Sequence, residues 1–271
     1  MDTEHIVTAL DKCKAHGITN ILALRGDPPV GQDRWTASDS NLTCAADLVK
    51  YIRKNYDDYF SIAVAGYPEG HPNAMVELPI EDISTLTPTE LERYSQNTKT
   101  VTSENPEETK EVPIINICRD IHYNTEMEYL KSKIDAGAKA IITQMFFDVD
   151  IYGVFVRSCR EYGINVPVIP GIMCISNYPG FHRMIKFCKS RVPEEIVNKM
   201  EELKDNVEAI KAYGIELGVK MCRRLQELGA PGFHFYTLNT SPVTIAIIEA
   251  LGYHKVKEVV DQTAQVLEFT A

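Results

Sequence analysis

Four times along this chain an amphipathic helical stretch runs into a glycine, then into a short apolar run, then into a polar loop. The copies read KCKAHGITNILALRGD around Gly17, KIDAGAKAIITQMFFD around Gly137, REYGINVPVIPGI around Gly163 and LQELGAPGFHFYTLN around Gly229. Each glycine can adopt the left-handed conformation that ends a helix, so the apolar run after it starts a new element. A fifth unit is read from the helix predicted over Thr43–Tyr56, where Ala45, Leu48, Val49 and Ile52 share one stripe, and from the run SIAVAGYPEG that begins at Ser61. Near-continuous apolar strands alternating with helices leave few options: a parallel sheet covered by helices. The copies share a cadence and not a residue pattern, so the repetition is structural.

The clearest helix is expected from about Val207 to Leu228, with Ile210, Gly214, Leu217, Met221 and Leu225 on one face, Asp205 as its cap and Glu208 in its first turn. At 271 residues and 44% hydrophobic, the chain can bury one large core. It reads as a single parallel α/β domain over 1–271, a barrel or an open sheet, interrupted at 75–124 by a surface insertion and ending in a helical tail over 254–271. The insertion is rich in Thr, Ser, Glu and Asn and is expected to be largely disordered. Within it, VPIINICRD from Val112 to Asp120 is expected to form a short strand, more readily outside the barrel than in it.

A formal charge of -10, from 38 acidic and 28 basic residues with no basic tract, disfavours a nucleic-acid partner. The seven cysteines form no CxxC pair, which points away from a disulfide framework or zinc site and toward a reducing, cytoplasmic setting. No apolar run of membrane-spanning length is present, and the first residues do not read as a signal peptide. Neither GxGxxG nor GxxxxGK[ST] occurs, so any phosphate must be held by side chains and helix ends. Asp27, Glu69 and His71 are valid ligand types for a divalent metal, but their spacing matches no metal motif, and no metal is expected.

In parallel α/β folds the functional groups sit beyond the carboxyl ends of the strands. Here those ends are Arg25-Gly26-Asp27, Gly66-Tyr67-Pro68-Glu69-Gly70-His71, Thr143-Gln144, Pro170-Gly171 and Tyr236-Thr237-Leu238-Asn239. A rim with cations, carboxylates, an imidazole, an amide and a phenol suits a ligand that has both anionic groups and a planar polar ring, such as a phosphorylated cofactor. Each residue alone has a blander reading: Asp27 as a turn former before Pro28 and Pro29, His71 and Lys133 as solvated groups, Gln144 and Tyr236 as partners of strand-end backbone.

At these residues the chain resembles the methylenetetrahydrofolate reductase family: ILALRGDPP, VAGYPEGHP, DAGAKAIITQMFFD, VIPGI and GFHFYTLN occur in the family's order between about Ile6 and Tyr253. The resemblance implies a TIM-type (β/α)8 barrel, here partial with about five of the eight strand-helix units. It implies FAD on the carboxyl rim, reduced by NADPH or NADH, and in turn reducing methylenetetrahydrofolate to methyltetrahydrofolate in one-carbon and methionine metabolism. By position Asp27 matches the catalytic aspartate beside the flavin ring, whose charge favours a cationic folate. Arg25, Gly26, Asp27, Ala45, Ala65, Tyr67, His71 and Lys133 match positions that hold FAD, and Gln144 and Tyr236 match positions that meet the substrate.

Three departures stand out: Cys44 where a tyrosine commonly flanks the cofactor, Glu126 for an aspartate, and Thr240 for the arginine after TLN, which removes a cation for the folate's anionic tail. The family also places three strand-helix units ahead of the point matched by Ile6, including a glutamate that protonates the folate. The resemblance therefore implies open sheet edges, and self-association or pairing with another reductase chain. A catalytically silent flavin- or folate-binding paralogue that partners an intact reductase is the alternative function.

Overall fold

The computed structural model describes residues 3–26, 42–102 and 109–253. The chain runs through α1 (Thr3–Ala15), β1 (Asn20–Ala23), α2 (Ala45–Tyr56) and β2 (Ser61–Gly66), then makes an excursion of β3 (Val76–Pro79), α3 (Pro88–Leu91), β4 (Ser95–Thr102) and β5 (Thr109–Ile117). It returns through α4 (Asp120–Asp135), β6 (Ala140–Met145), α5 (Val149–Glu161), β7 (Val168–Met173), α6 (Tyr178–Cys188), α7 (Glu194–Leu203), α8 (Val207–Glu227), β8 (His234–Tyr236) and α9 (Pro242–Ala250). The four cadence glycines all have positive φ, 71° at Gly17, 117° at Gly137, 70° at Gly163 and 81° at Gly229. Each stands between a helix and the strand that follows, as the repeated pattern requires.

Strands β1, β2, β6, β7 and β8 form one parallel sheet in that order. A doubly wound sheet reverses its strand order at a switch point, whereas an order that never reverses winds one way, as a barrel does. Five such strands make a partial TIM-type (β/α)8 barrel. Alternation along the strands separates two faces: Ile62 and Val64 of β2 and Ile141 and Thr143 of β6 are fully buried, while Ala63, Ala65, Ile142 and Gln144 between them are half-buried. Val49 and Ile52 of α2 and Phe155 of α5 share the core with the buried set.

Helix α8 begins at Val207, as the sequence suggests, but its cap is a different residue. Asn206, not Asp205, is its cap, in extended backbone with its Oδ1 accepting from Ala209 N at 3.0 Å. Either residue type can cap, and the backbone of Asn206 is the one that brings its side chain to the third amide of the helix.

The 75–124 stretch departs furthest from expectation. Its described residues are not largely disordered: β3, β5 and β4 pair as a three-stranded antiparallel sheet, from Val76↔Ile117 to Pro79↔Ile114 and from Ser95↔Asn116 to Thr102↔Thr109. VPIINICRD supplies the central strand of this sheet and no strand of the barrel. A polar composition does not prevent a sheet when one strand carries the apolar face. Here Ile115 and Ile117, fully buried with Leu86, make a small second core under Val76, Leu78, Ile83 and Tyr94. Buried Glu90 of α3 then ties the sheet to α4, accepting from Asp120 N at 2.9 Å and from Arg119 at 2.8 Å. The expected tail over 254–271 lies outside the described residues.

Candidate active site

The register between β6 and β7 slips at the carboxyl end of the sheet: Ile142 faces Ile169 and Met145 faces Gly171, three steps on one strand against two on the other. The extra residue makes a β-bulge, and a bulge re-aims side chains and leaves ladder groups without their usual partners. Gln144 sits inside it. Its own Oε1 accepts from Met145 N at 3.0 Å, so what it can offer a ligand is its amide N–H pair. Gly171 N donates to Thr143 Oγ1 at 2.9 Å, and Tyr236 of β8 reaches across β7 to donate its hydroxyl to Thr143 O at 2.9 Å. That reach exists because residue 171 is glycine: a Cβ there would lie 2.4 Å from Thr143 O and 2.6 Å from the Tyr236 ring. Burial pushes the Tyr236 phenol up to about 12, so it stays protonated at neutral pH.

Tyr67, Glu69 and Gly70, beyond β2, line the same cleft as Gln144, Met145 and Cys188. The Tyr67 and His71 rings lie 4.6 Å apart, and His71 Nδ1 accepts from Asn73 N at 3.1 Å, which caps a short turn. Glu69 is buried, and its Oε1 accepts from Arg191 N at 3.0 Å. Loss of water pushes its carboxyl up to about 8, with nearby Asp148 adding to the effect and Arg191 opposing it, so the protonated form predominates at neutral pH. The Arg191 side chain pairs with Asp148 at 2.9 Å and donates to Glu92 O at 3.2 Å, joining the loop after β6 to the end of α3.

A second polar group lies where α4 meets β2. Lys133 is buried, with its Nζ donating to Ala65 O at 2.8 Å and standing 5.0 Å from the Tyr129 ring centre. Burial pulls its ammonium down to about 8, although Glu126 works against this. The Glu126 carboxyl is in turn raised by burial and lowered by Lys133 and Arg25, so these three sense one another. Cys44 and Ala45 open α2 on the same side, where Cys44 is near enough to couple with both Tyr129 and Lys133.

The structure thus brings Tyr67, His71, Gln144 and Tyr236 to one rim, and Arg25, Ala65 and Lys133 with Ala45 to a neighbouring one. Gly26 is exposed at the end of the first described segment, and Asp27 lies outside the described residues. Thr240, in place of an arginine, closes a turn by donating to Thr237 O at 2.7 Å, and within that turn Leu238 and Asn239 hold φ of 49° and 61°. A bulky residue at positive φ is strained, and such strain concentrates at ligand sites. Arg191 escaped the sequence reading, and Thr143 entered it only as a strand end: nothing in a hydroxyl or a loop arginine announces which backbone group it will meet. Phe187, beside Cys188, is 59% exposed next to the cleft, an aromatic whose position only the fold reveals. A larger cavity, about 890 Å³, lies among α5, α7 and α8 and is lined by none of the candidate residues. No group of three or more His, Cys, Asp or Glu suited to a metal is found among the described residues.

The model of the family described as methylenetetrahydrofolate reductase matches residues 1–89 and 111–252. A probable methylenetetrahydrofolate reductase (NADH) of Oryza sativa subsp. japonica is 44% identical over 252 residues, which cover 93% of this chain and 36% of that protein. Methylenetetrahydrofolate reductase (NADH) 1 of Arabidopsis thaliana is 42% identical with the same coverage. A probable methylenetetrahydrofolate reductase (NADPH) of Caenorhabditis elegans is 35% identical over 92% of this chain and 30% of that protein. The chain spans about a third of the length of these curated relatives.

Proposed function

Because this chain belongs to the methylenetetrahydrofolate reductase family, we propose that it carries the flavin- and folate-binding barrel of such an enzyme. In this reading NADPH or NADH reduces FAD, and the electrons pass to methylenetetrahydrofolate to give methyltetrahydrofolate. Relatives named for NADH and for NADPH both support a nicotinamide co-substrate. The observation that carries the reading is the shared rim of Tyr67, His71, Gln144 and Tyr236 at the carboxyl ends of β2, β6 and β8.

The residues suit FAD. Lys133 is a buried cation whose proton is loosened by lost hydration, and an anionic pyrophosphate would restore what burial removes. Arg25, exposed at the end of β1 and coupled to the same Glu126, adds a second cation. Small residues at Gly26, Ala45 and Ala65 let a flat group approach closely, and Tyr67 and His71 offer ring faces. Bound FAD supplies the two-electron relay. Asp27, which lies outside the described residues, is assigned by the resemblance alone, its negative charge favouring a cationic substrate. Gln144 offers its N–H pair to the heterocycle edge, and the Tyr236 ring, fixed by its bond to Thr143, presents an edge and an acceptor oxygen.

A cytoplasmic location is part of this proposal, supported by seven free cysteines. No helix among the described residues is long and apolar enough to cross a membrane. The test is the visible spectrum of the purified protein titrated with FAD under argon. Oxidised flavin should show its two bands, perturbed on binding, and NADH or NADPH should bleach them. A protein that takes up no FAD at any concentration sinks the reading.

A further inference from the structure

Around the register slip in β6, three backbone groups are met by side chains. Gly171 N has Thr143 Oγ1, Thr143 O has Tyr236 Oη, and Met145 N has Gln144 Oε1. All of this happens around Thr143, which is 0% exposed. We propose that Thr143 is a positioning residue, whose side chain together with Gly171 and Tyr236 holds the bulge that presents the Gln144 amide to the folate. The inference rests on the reading of Gln144 as a substrate contact.

A hydroxyl buried this completely is unfavourable unless it is bonded, and a valine would fill the same space without that burden. The bond to Gly171 N gives the hydroxyl its role: it is an acceptor for a backbone amide beside the register slip. Threonine is stiff about its first side-chain torsion, so Oγ1 is held where the amide needs it. Gly171 and Tyr236 complete the device, since a Cβ at 171 would strike both Thr143 O and the tyrosine ring. With the bulge pinned from β7 and, across it, from β8, Gln144 keeps its carbonyl end on Met145 N, and its N–H pair is the part it can offer in the cleft it lines with Tyr67.

The experiment titrates FAD-loaded protein with 5-methyltetrahydrofolate, read by the flavin absorbance change. It compares Thr143→Val, Thr143→Ser, Gln144→Ala and the Thr143→Val/Gln144→Ala double variant, with amide exchange at Gly171 as an independent readout. Thr143→Val should speed Gly171 exchange and weaken folate affinity about tenfold, the effect of roughly one buried hydrogen bond. FAD affinity should hardly change, Thr143→Ser should restore most of the loss, and the double variant should be no worse than Gln144→Ala alone. Losses that multiply in the double variant overturn the proposal. So does a Thr143→Val protein with normal folate affinity while Gln144→Ala is weakened, and then the reading of Gln144 survives. If Gln144→Ala binds folate normally, the Gln144 reading falls and this inference falls with it. Should Thr143→Val fail to fold, Thr143→Ala removes the same hydroxyl without a branched replacement and carries the same comparison.

Discussion

Glu69 is a carboxylic acid held neutral by its surroundings, and this gives it a signature in stability. In the folded chain it keeps its proton up to about 8, whereas an ordinary glutamate ionises near 4.5. Its contribution is therefore fully present below about pH 4.5, is lost as pH rises through that window, and levels off above 8. Glu69→Gln keeps the shape and cannot ionise, so it should hold its stability from pH 5 to 8 while the parent loses on the order of 1.4 kcal/mol per pH unit. Urea unfolding at those two pH values decides the matter, and equal losses in both proteins would rule out Glu69 as the source. Lys133 titrates in the opposite sense. With its ammonium pulled down to about 8, it is largely neutral at pH 9, and an anionic pyrophosphate should draw a proton back onto it. Calorimetry of FAD binding at pH 9, in two buffers of different ionisation enthalpy, should report proton uptake that disappears in Lys133→Gln. Both residues are visible in the sequence, one in YPEG and one in a helix, yet their burial is not, because it depends on segments far along the chain, Arg191 against Glu69 and Ala65 of β2 against Lys133.

The strands and helices of the barrel were readable because a switch from helix to strand is decided locally, by Gly17, Gly137, Gly163 and Gly229. The bulge was not, since IITQMFF looks the same whether or not β6 slips by one residue against β7. The antiparallel sheet was hidden by composition: SQNTKTVT is polar, and only its pairing with β5, whose Ile115 and Ile117 are buried, makes it a strand. Caps fall between these cases, since residue type narrows the choice and backbone geometry completes it. Asn206→Ala should lower stability by about 1 kcal/mol, the usual value of a lost cap, and Asp205→Ala should do almost nothing. Thermal unfolding of the two variants tests this directly, and a larger loss for Asp205→Ala would return the cap to the residue the sequence first suggested.

The five-stranded sheet has two outer strands, and among the described residues β1 pairs only with β2 and β8 only with β7. Outer strands present unpaired amides and carbonyls, and here the flanks are apolar: Leu24 beyond β1 is 50% exposed, and Leu238 beyond β8 is 55% exposed. Such edges can pair with a strand of a second chain, either another copy or a different protein. The charge of -10 opposes a second copy, because two like-charged surfaces repel until salt screens them. These two terms make a specific expectation: self-association should strengthen as salt is added, which is the reverse of what a salt-bridged dimer would do. Leu24→Lys puts a charge beside the β1 edge at an exposed position, so it should leave monomer stability within about 0.5 kcal/mol while weakening association. Sedimentation velocity across a range of protein and salt concentrations reads both effects. A chain that stays monomeric throughout, or a dimer that salt dissolves, would mean that the edges are covered in some other way and that association through them has to be abandoned.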